Sequence, residues 1–162
     1  VARVQATLAR RRLLESPPND AAVENSAMDE ITFIKAVVER TGCGLILDVN
    51  NVYVSATNLG FTSADYIAAF PLSAVGEIHL AGHAEDADAH GDTLLIDAHD
   101  RHVAPSVWDL FRHTVFTMGH RVPTLIEWDN DVPDFDTLAA EAAKADAIAE
   151  AALNGQSGAL AA

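Results

Sequence analysis

Five polar residues stand at or near the ends of apolar runs in this sequence. Glu15 follows Arg-Leu-Leu, Asp48 follows Leu-Ile-Leu, His79 lies within Glu-Ile-His-Leu-Ala, Asp97 follows Leu-Leu-Ile, and Glu127 follows Thr-Leu-Ile. His99 is two positions beyond Asp97, so an extended segment would turn both side chains toward one object. Imidazoles and carboxylates gathered from separate segments are the ligand chemistry of zinc, iron or manganese. Each residue also has an ordinary role open to it. A carboxylate after a strand commonly caps the next helix, and a buried histidine commonly satisfies a core hydrogen bond. Recurrence of the pattern on successive runs favours a metal cage over five unrelated caps. Asn51, three residues past Asp48, adds an amide oxygen, and Asn50 and His83 are near enough in sequence to join the shell or to support it. His79 and His83 have the spacing of a helical zinc pair, but Gly82 and the preceding apolar run argue against a helix there. The sequence has no glycine-rich phosphate loop and no Gly-x-Ser-x-Gly elbow, so nucleotide binding and serine hydrolysis lack support.

The elements that must position these residues read as alternating helices and strands. Apolar spacing at Val1, Val4 and Leu8 marks a helix, and Leu13-Leu14-Glu15 a short strand stopped by Ser16-Pro17-Pro18-Asn19. Ser26 with Asp29 gives an N-cap signal for a helix over 28–40, closed by Thr41-Gly42. Gly44 to Val49 is the clearest buried strand; Asn50-Asn51-Val52-Tyr53-Val54 follows, and then a polar loop is expected through Asn58 and Gly60. A short helix is expected over 63–70, capped by Thr62 or Ser63, then a strand over 76–81, a loop over 82–93 and a short strand or loop at Leu94-Leu95-Ile96. Pro105 opens a helix to Met118, residues 123–127 form the last strand, and Asp136 caps an alanine-rich helix to about Leu153. Continuous apolar strands alternating with helices indicate an α/β fold with a parallel, helix-covered sheet of four βα units. In a parallel barrel the carboxyl ends of such strands open onto one face.

Bulk properties narrow the class. The chain of 162 residues carries a formal net charge of −14, which disfavours nucleic acid as a partner. No stretch approaches the roughly 18 apolar residues that span a bilayer. Cys43 is the single cysteine, so no internal disulfide can form, and it reads as a small buried residue. No signal peptide is recognisable and no membrane association is expected, so a cytoplasmic location is the expectation. Residues 1–153 are expected to form the folded domain and 154–162 a disordered tail.

Four segments carry a resemblance. Cys-Gly-Leu-Ile-Leu-Asp-Val-Asn-Asn-Val-Tyr-Val-Ser-Ala (43–56), Gly-Glu-Ile-His-Leu-Ala-Gly-His (76–83), Leu-Ile-Asp-Ala-His-Asp (95–100) and Pro-Thr-Leu-Ile-Glu-Trp-Asp (123–129) resemble the DUF692 or UPF0276 family of multinuclear non-haem iron-dependent oxidative enzymes. The resemblance runs from about Val4 to about Ala149. It implies a TIM barrel similar to xylose isomerase-like barrels, two or three irons, and O2 used to modify cysteines of ribosomally made peptides that a partner protein or domain delivers. By motif it implies Glu15, Asp48, His79, Asp97, His99 and Glu127 as metal ligands, with Asn51 and His83 in or beside the shell and Asn50 positioning a ligand or substrate. The family's usual Glu-Asn-Pro-Ser-Ser-Tyr stands here as Glu15-Ser16-Pro17-Pro18-Asn19-Asp20, keeping the glutamate and the first proline.

A full barrel takes about 250 residues, so this chain reads as the C-terminal half of a (β/α)8 barrel, inactive alone. Homodimerisation or association with an N-terminal half is expected to cover its sheet edges. The other readings are a divalent-metal isomerase or phosphodiesterase on the same barrel, with zinc or manganese in place of iron, and a non-catalytic remnant. Against the isomerase, Lys35 and Lys144 fall on expected helices and no lysine stands near the strand ends. The net charge disfavours a phosphodiesterase acting on DNA, and retention of all six ligand-type residues speaks against a remnant.

Overall fold

The computed structural model describes the backbone of residues 1–15 and 28–160, and side chains within that range up to residue 155. The expected Ser26 cap and the Ser16–Asn19 strand stop lie outside the described residues. The elements in order are α1 (Ala2–Leu8), β1 (Leu13–Glu15), α2 (Glu30–Thr41), β2 (Gly44–Asp48), α3 (Val49–Leu59), α4 (Ser63–Ala69), a 3-10 turn (Leu72–Ala74), β3 (Val75–Ala81), β4 (Ala84–Ala87), β5 (Thr93–Ile96), α5 (Pro105–Met118), β6 (Thr124–Glu127) and α6 (Phe135–Leu160). Strands β1, β2, β3 and β6 form a parallel sheet in that order, the α/β arrangement the sequence implies.

The register explains which face does what. Asp48 lies opposite His79, and Ala81 opposite Glu127, while Glu15 lies opposite Ile46. Side chains two apart share a face, so Glu15, Asp48, His79 and Glu127 project to one side. Leu14, Leu45, Leu47, Ile78, Leu80 and Ile126 project to the other, into a core with Val107, Trp108, Phe111 and Val115 of α5 and Ala145 and Ala149 of α6. The apolar half of each strand is thus consumed by helices, leaving the polar half free to converge. At the N-terminal end of the polar face, Leu13 lies over Gly44 and Gly76; a Cβ at either glycine would run into its Cδ2.

Several local expectations are corrected. The expected loop through Asn58 belongs to helix α3, which starts right after Asp48: Asp48 Oδ1 accepts the Asn51 backbone N–H at 2.8 Å as N-cap, and Gly60 ends the helix with φ 73°. Val52 and Val54 and the paired asparagines are weak helix formers, but burial of Val49, Val52 and Val54 overrides propensity. Asn58 at its end donates to Leu95 O (2.9 Å) and accepts from Leu95 N (2.8 Å), tying α3 to β5. The expected loop over 82–93 contains β4, paired antiparallel with β5. Helix α2 starts one residue after Asp29, whose carboxylate takes both the N–H and the hydroxyl of Thr32. Asp134, not Asp136, accepts the Thr137 N–H at the start of α6, which runs to Leu160 instead of ending near Leu153. Among the described residues no helix is long and apolar enough to cross a membrane.

Candidate metal centre

Each ligand-type residue is placed by a different strand. Glu15, Asp48 and Glu127 are the last residues of β1, β2 and β6, and His79 sits two before the end of β3. One ligand atom from each of these four lies within 4.8 Å of the others. His79 Nδ1 is 3.1 Å from Glu127 Oε1 and 3.4 Å from Glu15 Oε1, in hydrogen-bond geometry with neither. Its other nitrogen faces Glu77 Oε1 at 3.4 Å; with Nε2–H donating there, the Nδ1 lone pair is turned into the cluster. Glu77 escaped the sequence reading, although its position two before His79 puts it on the same face.

Asp97 and His99 do not join the four but stand beside them. His99 Nε2 is 2.8 Å from Asp97 Oδ1, and Nδ1 is 3.1 Å from Asp129 Oδ2 and 3.7 Å from Glu127 Oε2. Their proximity does not come from an extended segment. His99 has φ 51°, in the left-handed region. Its N–H donates to Gly82 O at 2.9 Å, and its own carbonyl accepts from Asp129 N (2.8 Å) and Asn130 N (3.1 Å). The ends of β3 and β6 therefore hold a conformation that costs about 1–2 kcal/mol in a non-glycine residue. In consequence His99→Gly should be more stable than His99→Ala by about 1 kcal/mol in chemical denaturation, the reverse of the usual order. Equal stabilities would mean the backbone there relaxes freely.

The remaining residues fall in two groups. Asn51 is buried, and among the described residues neither its Oδ1 nor Asp48 Oδ2 finds a hydrogen-bond partner. Asn50 and His83 are buried away from the four: His83 Nδ1 meets Asn50 Oδ1 at 2.8 Å, and Asn50 Nδ2 donates to Asp97 Oδ1 at 2.7 Å. Asp129, two beyond Glu127, is a further carboxylate the sequence reading did not single out. Trp128 is partly buried and meets His102 edge-on, with centroids 5.0 Å apart.

Electrostatics mark the cluster as short of positive charge. Burial, opposed by the Asn51 N–H bond and reinforced by Asp97, Glu127 and Glu15, pushes the Asp48 carboxyl up to about 7. Burial also raises Glu127, against the pull of His79 and His99. For His99 burial works to lower the pKa, but the carboxylates of Asp97, Glu127 and Asp48 outweigh it and the net shift is upward. Buried acceptors left unbonded cost roughly 1–3 kcal/mol each. A cation between Asp48 Oδ2, His79 Nδ1, Glu15 and Glu127 would satisfy two of these atoms and neutralise crowded carboxylates. Three carboxylates with one imidazole and no thiolate suit iron or manganese. The donor set fits such an ion.

The chain is similar to known proteins over nearly its whole length. The family model for the RiPP precursor modification enzyme MbnB/TglH/ChrH matches residues 1–150. A UPF0276 protein of Rhizobium meliloti is 52% identical over 139 residues, covering 86% of this chain and 45% of the relative. A UPF0276 protein of Caulobacter vibrioides is 50% identical over 148 residues, covering 91% of this chain and 52% of the relative. One from Bordetella parapertussis is 52% identical over 137 residues, covering 85% and 47%. The chain thus spans about half the length of the curated relatives it matches.

Proposed function

The chain belongs to the MbnB/TglH/ChrH family of RiPP precursor modification enzymes, and on that premise we propose that it carries the metal-binding half of an iron-dependent enzyme that oxidatively modifies cysteine in a ribosomally made peptide. The observation that carries this is the convergence of Glu15, Asp48, His79 and Glu127 from four parallel strands, with Asp48 Oδ2 and His79 Nδ1 buried and unbonded among the described residues. Bound iron would supply redox chemistry with O2 that no side chain of this chain can provide. The chain's residues do the rest. Glu77 orients His79, Asn51 N orients Asp48, and Asp97 orients His99 toward Glu127 and Asp129. Asp97 and His99 enter the proposal as ligands of a neighbouring ion, His99 through Nδ1. In the parallel sheet β1 and β6 each pair on one side only among the described residues, and further strands closing a barrel there belong to this proposal. The cytoplasm is the proposed location.

Metal uptake should be linked to pH. With its carboxyl near 7, Asp48 carries a proton below that pH in the metal-free protein and must lose it to ligate. Mn2+ affinity should therefore fall as pH drops through 7, by up to about tenfold per unit. Calorimetry at pH 6 in buffers of different ionisation enthalpy should show proton release that shrinks by pH 8. An affinity that stays flat from pH 6 to 8 would count against Asp48 as a ligand. The activity itself is tested with the full-length protein: a cysteine-containing precursor peptide should change mass only with iron and O2 present, and the Glu127→Gln protein should leave it unchanged. Turnover without iron would refute the proposed chemistry.

A further inference from the structure

Asn50 occupies the first turn of α3, two residues past Asp48, and is fully buried. Its side chain spans two partners. Nδ2 donates to Asp97 Oδ1 at 2.7 Å, and Oδ1 lies 2.8 Å from His83 Nδ1. Asp97 Oδ1 also receives His99 Nε2 at 2.8 Å. The direction of this chain of bonds is forced by chemistry. An ionised carboxylate only accepts, so the amide must turn its NH2 toward Asp97 and its oxygen toward His83. His83 must then carry its proton on Nδ1. Tyr53 stacks on that ring at 5.3 Å, with the planes 27° apart, and the ring is buried at the end of β3.

We propose that Asn50 and His83 are positioning residues forming a relay in which His83 donates to Asn50, and Asn50 and His99 both donate to Asp97 Oδ1, so that the His99 ring is set from helix α3. The segment bearing Asp97 and His99 cannot do this alone, because it leaves β5 and passes through a left-handed residue. Its backbone is tethered to Gly82, Asp129 and Asn130, but those bonds fix only the main chain. The ring is fixed through Asp97 Oδ1, and Asp97 Oδ1 is fixed through the Asn50 amide. Neither Asn50 nor His83 is free to bind an ion through the atoms the relay uses. Asp97 Oδ2 stays outside the relay. What the relay orients rests on the proposed metal function, whereas its bonds are internal to the chain.

The test begins on metal-free protein, where the two readings separate. Long-range 15N–1H correlation spectra report the tautomer of each histidine. His83 should show the Nδ1–H form in the parent and shift to the Nε2–H form in Asn50→Leu, with the His99 ring signals moving as well. Asn50→Asp keeps an acceptor for His83 but sets a carboxylate against Asp97, so His83 should stay protonated at Nδ1 while His99 alone shifts. An Nε2–H tautomer at His83 in the parent would overturn the relay without any variant. So would His99 signals that do not move in either variant. Mn2+ titration by electron paramagnetic resonance then measures the consequence, with roughly 10–100-fold weaker binding expected for Asn50→Leu. Parent-like Mn2+ binding in Asn50→Leu would overturn the positioning role. A parent that binds no Mn2+ would instead sink the metal function, and the tautomers would still decide the relay.

Discussion

Asp48→Asn should bind iron or manganese about a hundredfold or more weakly than the parent, while its metal-free form is the more stable of the two at pH 8. The opposite signs follow from one side chain having two oxygens with different duties. Oδ1 accepts the Asn51 N–H and starts α3, and asparagine caps helices as well as aspartate does, so the fold keeps this bond. Oδ2 is buried without a partner among the described residues, and replacing it with an NH2 removes a ligand. Native Asp48 titrates near 7, raised chiefly by burial and then, against the Asn51 bond, by the neighbouring carboxylates. Because the folded pKa is raised, the native state holds more protons than the unfolded one between the ordinary carboxyl range and about 7. Metal-free stability therefore falls as pH rises through that window and stays low above it. A neutral amide escapes this loss, which is on the order of a few kcal/mol. Metal affinity is read by titration and stability by urea denaturation. Unchanged affinity, or a less stable metal-free variant at pH 8, would contradict the assignment.

Gly82→Ala should destabilise the protein by about 2–3 kcal/mol and weaken metal binding, although residue 82 is not one of the four clustered ligands. A Cβ at Gly82 would collide with the Arg101 backbone carbonyl, whose carbon would be only 2.8 Å away. Backbone cannot rotate aside as a side chain can, so the 97–101 segment must lift. Lifting it strains the His99 N–H bond to Gly82 O and moves His99 away from Glu127 and Asp129. Gly44→Ala is the contrast, since the nearest obstacle there is the Leu13 side chain. Loss of stability should be measured by thermal melting, and displacement of His99 by its ring signals. A Gly82→Ala protein with parent-like melting and metal binding would show that this close approach does not hold the segment.

How much of this was legible in the sequence depended on what kind of signal each residue gave. The apolar runs of β2 and β6 end in Asp48 and Glu127, and the bounds of α5 at Pro105 and Met118 agree with the structure, because proline and glycine punctuate the chain there. That four strand ends converge followed from the parallel pattern. Helix α3 was not legible: paired asparagines and β-branched residues running into polar Asn58 and Gly60 give no helix signal, and burial against the core makes the segment a helix. The Asp97–His99 pairing was reached through the wrong geometry. A two-residue spacing suggested an extended segment, whereas the contact depends on a left-handed His99 held by distant backbone groups. Glu77 and Asp129 were legible by alternation and were overlooked. The Asn50–His83 bond joins residues 33 positions apart, and no local signal marks it.

The most direct measurement is the metal content of this chain purified without oxygen, compared with Asp48→Asn and His79→Ala. Iron should be present at one or more per chain in the parent and absent from both variants. A folded parent that holds no iron or manganese, or variants that hold as much as the parent, would contradict a metal centre built by Glu15, Asp48, His79 and Glu127.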